Sequence, residues 1–174
     1  MKACLTPKNV KKGDVFYSFD AFSFDDGSST VEAHEWHVRS IMNKDTYISP
    51  CRLKSLGTKR KAKFIGLASK QLGVTFIDGK WRKSIPKTHK LNEELTERLP
   101  EGLYTTELQA IKYAIYKWAE SVKWCESEIA NLSNKSEIED YEEDLYFIKK
   151  ELSLLKGRLT KIKNKRSKKP RKAA

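Results

Sequence analysis

The sequence predicts an α+β protein. A small antiparallel, β-rich and barrel-like domain with its connector is expected over residues 1–103, then a long antiparallel α-helical hairpin with coiled-coil spacing over 104–163, then a disordered basic tail over 164–174. Three observations carry this. Leu108, Ile111, Ile115, Trp118, Val122, Cys125, Ile129 and Leu132 recur at alternating spacings of three and four. Ile138, Tyr141, Leu145, Ile148, Leu152, Leu155, Leu159 and Ile162 repeat the alternation, and the two runs mirror each other about residue 135, as in one chain folded back on itself. From Gly13 to Pro86, by contrast, the apolar residues are aromatic or β-branched, in short runs broken by turn formers.

The first strand is expected over Asp14–Phe24, where Val15, Tyr17 and Phe19 alternate, and Asp25 to Ser29 close a hairpin. In the next run, Thr30–Met42, the apolar phase shifts from Val31 and Ala33 to Trp36 and Val38, which predicts one extra residue, a bulge, between them. Asn43–Asp45 reads as a turn into Thr46, Tyr47 and Ile48. Asp78-Gly79, between two short runs, is the strongest hairpin signal in the chain, because a tight primed turn needs positive φ. Pro86 and Pro100 bracket a polar stretch, Lys87–Arg98, read as a connector with a helical turn or two. Thr106 with Gln109, and Ser136 with Glu139, fit the capping box that opens a helix. Ser133, Asn134 and Lys135 form the turn between the helices, and each helix of roughly 27 residues would extend about 40 Å.

The net charge of +12 is unevenly placed. Residues 52–90 carry twelve basic residues against Asp78 alone, and from Lys156 onward there are ten basic residues and no acid. The helical region 102–155 has eleven acidic residues against six basic ones, so two cationic blocks flank an acidic rod. That distribution suits a polyanion such as nucleic acid, DNA or RNA. Lys59, Arg60, Lys61 and Lys63 form one cluster, and Lys80, Arg82 and Lys83 another, with Phe64, Phe76 and Trp81 interleaved. Were the clusters neighbours on one sheet, they would contact phosphates while Trp81 stacks on bases. In the tail, Lys165, Arg166, Lys168, Lys169, Arg171 and Lys172 would add phosphate contacts. Tyr113, Tyr116, Trp124, Tyr146 and Phe147 lie beside the helical seams, more apolar area than a two-helix contact uses, and suit a protein partner or a second copy of the chain.

Catalytic and metal-binding signals are thin. The histidines of HEWH, His34 and His37, are three apart and would point to opposite faces of a strand, so they make no metal pair, and no metal or other cofactor is expected. GxSxG, GxxxxGK[ST] and GxGxxG are all missing, and Asp20, Asp25 and Asp26 fit no calcium loop. The acidic run Glu137–Asp144 offsets the positive end of the second helix. The reading is therefore of a binding protein and not an enzyme. Cys4, Cys51 and Cys125 are odd in number and widely spaced, which points to a reducing compartment. The opening MKACLTPKNVKKGD lacks an apolar core for export and no stretch is long enough to span a membrane, so a cytoplasmic protein with no membrane partner is expected.

GDVFYSFD from Gly13, the VRSI and TYIS stretches, and GLYTTELQAIKYAI from Gly102 together resemble small, mostly uncharacterised phage accessory proteins with a short β-domain and a helical tail. The resemblance implies a role in host takeover or in countering host defence, and transfers no catalytic residue. It implies, beside the nucleic-acid reading, an adaptor or inhibitor that docks on a host protein complex through the helical hairpin.

Overall fold

The computed structural model describes residues 6–7, 9–48 and 58–167. Four antiparallel strands, β1 (Val15–Ser23), β2 (Ser29–Ile48), β3 (Thr58–Ile77) and β4 (Lys80–Glu94), form one sheet in the order β1-β2-β3-β4. Two helices follow, α1 (Glu107–Asn131) and α2 (Lys135–Ser167).

Both faces of this sheet bury a core, which explains the apolar phase shift along β2. Tyr17, Phe19, Ala21, Val31 and Ala33 share one face and pack on Ala110, Ile111, Ala114, Leu155 and Ile162 of the helices. Phe16, Trp36 and Val38 alternate to the other face and pack with Ile65 and Leu67 under Val10, Leu99 and Leu103. The β1–β2 register runs unbroken from Val15↔His37 to Ser23↔Ser29, so no bulge separates Ala33 from Trp36. A register shift that the pattern does not predict occurs further on, between Val38 and Ser40 of the β2–β3 ladder, where it keeps Val38 and Ile41 facing the same core. Gly66 opposes Ser40 there, and a Cβ at 66 would collide with the Ser40 hydroxyl.

Three further expectations are corrected. Asn43–Asp45 is not a turn, because β2 and β3 pair through it, Asn43 with Lys63 and Asp45 with Lys61. Lys87–Glu94 is strand, not connector. Pro86 is accommodated because β4 is the outer strand and Pro86 falls at a register break, where Gln71 pairs Lys87 but Gly73 pairs Ser84. The sheet is also not closed into a barrel. β1 makes no ladder with β4, and the outer side of β1 instead exchanges backbone hydrogen bonds between Tyr17 and Tyr104.

The sheet forks. Up to Trp36, β2 pairs only with β1, and from Ser69 onward β3 pairs only with β4. The β3–β4 part beyond the fork, Ser69–Ile77 with its partners, is a two-stranded arm about 30 Å long at 3.3 Å per residue. Asp78 (φ 52°) and Gly79 (φ 73°) make its tight turn as the Asp-Gly pair predicts. Backbone donors without a strand partner meet side chains: on β3 beyond the fork Leu72 N–H donates to Glu32 Oε1, and on the outer edge of β4 Trp81 N–H donates to Asp25 Oδ2 at 2.8 Å. Across the β1–β2 pair, buried His34 sets Nε2 2.9 Å from Asp20 Oδ2, and Trp36 Nε1 donates to Ser18 Oγ at 3.0 Å.

All sixteen seam residues of the helices are buried or half-buried. Trp118 Nε1 donates to Glu151 at 2.8 Å, Trp124 contacts Tyr141 edge-on, and Lys149 pairs with Glu126 at 2.9 Å. Thr106 caps α1 as expected, accepting from Gln109 N–H. At α2 the cap is Asn134 and not Ser136: Asn134 Oδ1 accepts from Ser136 N–H at 3.1 Å while its amide donates to Glu137. α2 continues to Ser167, so residues 164–167 are helical where a tail was expected; Lys168, Lys169, Arg171 and Lys172 lie outside the described residues.

Candidate nucleic-acid interface

The two cationic clusters of residues 52–90 sit at opposite ends of β3, separated by about 40 Å of strand between Lys63 and Phe76. They differ in pairing as well as place. Lys59 pairs with Asp45 at 2.9 Å, a contact that raises the lysine's pKa, and Arg60 pairs with Glu94 at 2.6 Å. Lys61 lies opposite Asp45 and Lys63 opposite Asn43 in the ladder. Half of that cluster is thus already neutralised within the sheet.

The arm tip is different. Among the described residues, Lys80, Arg82 and Lys83 have no carboxylate within salt-bridge distance, and all three are exposed. Phe76 and Trp81 face each other across the ladder with ring centroids 5.2 Å apart, yet remain 58% and 50% exposed. So much exposed aromatic area on a ribbon tip contributes little to the fold. The tip leans on the β1–β2 turn: Lys83 Nζ lies 5.1 Å above the Phe24 ring, and Trp81, with Lys80, Arg82 and Lys83, shares an open cleft with Phe24, Asp25, Asp26 and Ser28. Hydrogen bonds from Ser28, then the Lys83 charge, hold the Asp26 carboxyl below its usual range. A second, nearly all-carbon slot opens between Trp81 and Phe22, Ser23 and Phe24.

The fold also brings Arg158 and Lys161 of the second basic block beside the same hairpin. Ser29, Thr30 and Val31, just past the same turn, line a cleft with Ser153, Leu154, Gly157, Arg158 and Lys161 of α2, and Lys150 donates to Gly27 O. Arg158 and Lys161 therefore flank the β1–β2 hairpin on its helix side while the arm tip flanks its end. Lys165 and Arg166 occupy the last turns of α2. Nothing in the sequence signals this convergence, because it depends on where α2 crosses β2.

The flanking aromatics fall into three separate groups. Tyr113 is structural: its ring meets Tyr104 at 5.3 Å and its hydroxyl donates to Glu101, and burial with that carboxylate pushes its pKa up. Tyr116 contacts Tyr113 and is 41% exposed. Tyr146 stacks edge-on with half-buried Phe147, while Trp124 lies against Tyr141; Trp124 and Tyr146 are 54% and 62% exposed.

His34 and His37 point to opposite faces, as their spacing predicts: His34 is buried against Asp20, and half-buried His37 lies 3.8 Å from Glu35. Among the described residues no group of three or more His, Cys, Asp or Glu side chains gathers as metal ligands. Cys125 is buried in the helical seam, and that burial, with the Asp144 charge, pushes its thiol pKa up. No helix among the described residues is long and apolar enough to cross a membrane.

These features define an α+β chain, an antiparallel forked sheet followed by two helices, with an exposed cationic and aromatic arm tip. No protein-family model, curated protein or solved structure matches it.

Proposed function

We propose that this chain is a non-enzymatic nucleic-acid-binding protein, and that its contact surface is the β3–β4 arm tip extended by the cationic end of α2. The observation that carries the reading is the contrast between the two ends of β3. Lys59 and Arg60 are matched to Asp45 and Glu94, whereas Lys80, Arg82 and Lys83 surround two half-exposed rings with no carboxylate in salt-bridge range among the described residues. Cations beside exposed aromatic rings supply both phosphate neutralisation and a stacking platform. Arg158 and Lys161 add cations on the helix side of the adjoining β1–β2 hairpin, and Lys168, Lys169, Arg171 and Lys172 add further charge. The paired helices are read as an antiparallel coiled coil that braces the β1–β2 hairpin against which the arm rests.

Fluorescence anisotropy with a labelled oligonucleotide tests this. Binding should weaken steeply as salt rises, and a Lys80→Gln, Arg82→Gln, Lys83→Gln triple variant should lower both affinity and salt dependence. Absence of binding at low salt overturns the reading.

A second reading rests on Trp124 and Tyr146, exposed on the part of the helical pair beyond the sheet contact. In it the helices dock on a protein partner, such as a host complex antagonised by a phage accessory protein, or on a second copy of the chain. A Trp124→Ser, Tyr146→Ser variant that loses a nuclease-resistant cross-linked partner but keeps oligonucleotide binding would favour it.

A further inference from the structure

The nucleic-acid reading leaves open which form of nucleic acid the arm tip recognises, and the geometry beside Trp81 narrows it. The slot lined by Phe22, Ser23, Phe24 and Trp81 presents almost only carbon. Its one hydroxyl, Ser23 Oγ, is already engaged by Ser29 Oγ at 3.0 Å. Phe24 is buried and forms the floor. Trp81 forms a wall: its backbone N–H is tied to Asp25, and its ring lies against that of Phe76.

The adjoining cleft shares Phe24 and Trp81 with the slot and adds Lys80, Arg82 and Lys83. Its charges are sorted. Asp25 and Asp26 lie on the turn, and Asp26 is held ionised by its hydrogen bonds from Ser28. Their negative charge repels a phosphate from that side and leaves the lysines and arginine of β4 as the anion's place. Lys80 and Arg82 alternate to the strand face opposite Trp81, yet both line this cleft beside Lys83. A ligand that fits both cavities therefore has a flat, uncharged ring with an anion one short linkage away. A nucleotide of a polynucleotide has this form.

We propose that the Trp81 slot receives one unpaired base, with Lys80, Arg82 and Lys83 on the phosphates that flank it, so that the arm recognises single-stranded nucleic acid in preference to duplex. The proposal rests on the nucleic-acid reading and deepens it. In a duplex each base face is covered by its neighbours, and exposing one costs unstacking and unpairing energy that a single strand does not incur. Two half-exposed rings on a narrow ribbon offer stacking, which every base accepts, and no base-edge code, so selection falls on strandedness more than on sequence.

The test compares one labelled strand of about 12 nucleotides, within the site size of comparable stacking surfaces, with the same strand annealed to its complement. The full chain at low salt should bind the single strand about tenfold or more tightly than the duplex. A 2-aminopurine placed in the strand should lose fluorescence on binding as it stacks. Trp81→Ala should weaken single-strand binding by about tenfold and abolish the quench while leaving the salt dependence unchanged, because the phosphate contacts remain. Trp81→Phe should restore most of both. Trp81→Leu, which keeps the apolar bulk, should behave like alanine, and the quench in the unaltered protein is a readout that needs no variant. Equal or tighter binding of duplex, or an unchanged quench in Trp81→Ala, overturns this proposal and leaves the nucleic-acid reading standing. Failure to bind either form overturns the nucleic-acid reading itself.

Discussion

Replacing Leu155 by alanine separates a helical pair that is part of the sheet's core from one that merely follows it in the chain. Leu155 is fully buried and belongs to the cluster that joins Phe19 and Ala21 of β1 to Ile111 and Ala114 of α1. Truncating a leucine at such a site loses its transfer free energy and leaves a cavity walled by both layers, a cost of about 3 kcal/mol within the range seen for buried leucines. For a chain of this size each kcal/mol moves Tm by about 2–4 °C, so Tm should fall by about 6–12 °C. Leu145 occupies an equivalent seam position but is only half-buried and lies outside the cluster that touches the sheet; Leu145→Ala should cost roughly half as much. Urea denaturation followed by circular dichroism gives the stabilities, and hydrogen exchange locates the loosening. In Leu155→Ala the amides of β1 should exchange faster together with those of α2. Equal costs at the two positions, or faster exchange confined to the helices, would refute the shared core and make the helical pair an independent unit.

Other outcomes follow from particular contacts. Asn134→Ala should destabilise by about 1 kcal/mol through loss of the α2 cap, while Ser136→Ala should stay within about 0.5 kcal/mol, measured by thermal unfolding. Glu101 accepts from the Tyr113 hydroxyl and then from Lys117, and these hold its carboxyl below the usual range. Its folded pKa is depressed, so its contribution is present above the ordinary glutamate value and is lost as pH falls through the lowered one. The Tm difference between wild type and Glu101→Gln should accordingly shrink as pH falls below the ordinary glutamate range. In oligonucleotide titrations, Lys59→Gln with Arg60→Gln should leave the salt slope nearly unchanged, whereas Arg82→Gln with Lys83→Gln should reduce it by about 1.4, two single-strand phosphate contacts at about 0.7 each.

Much of the fold is legible in residue spacing. The seams from Leu108 to Leu132 and from Ile138 to Ile162 locate both helices within a few residues, because a helix that packs along its length repeats its apolar positions locally. Asp78-Gly79 marks its hairpin because the turn needs positive φ at both residues. The errors share one cause. Strand alternation predicts a single buried face, but Phe16 and Phe19, or Ala33 and Trp36, serve cores on opposite faces. Under that assumption a change of core resembles a bulge. In the same way, polar Asn43–Asp45 and Lys87–Glu94 resemble turns and linkers, although a strand outside both cores needs no apolar side chains when its neighbour supplies the hydrogen bonds. At the candidate interface, Trp81 and its flanking cations are legible as residue types; Phe22 and Phe24 as walls, and Arg158 and Lys161 as neighbours, are not.

By itself, the sequence determined the elements whose causes are local: the two amphipathic helices, the Asp-Gly turn, the Thr106 cap and the separation of charge into two basic blocks and an acidic rod. Tertiary structure alone decided which charges are left over. Lys59 and Arg60 meet Asp45 and Glu94 across strands, and the arm tip reaches the β1–β2 turn through Asp25 and Phe24. The physical reason is that an exposed lysine's availability depends on which carboxylate lies within a few ångströms. That distance is set by strand register and by the fork in the sheet, between residues up to 56 positions apart in the chain.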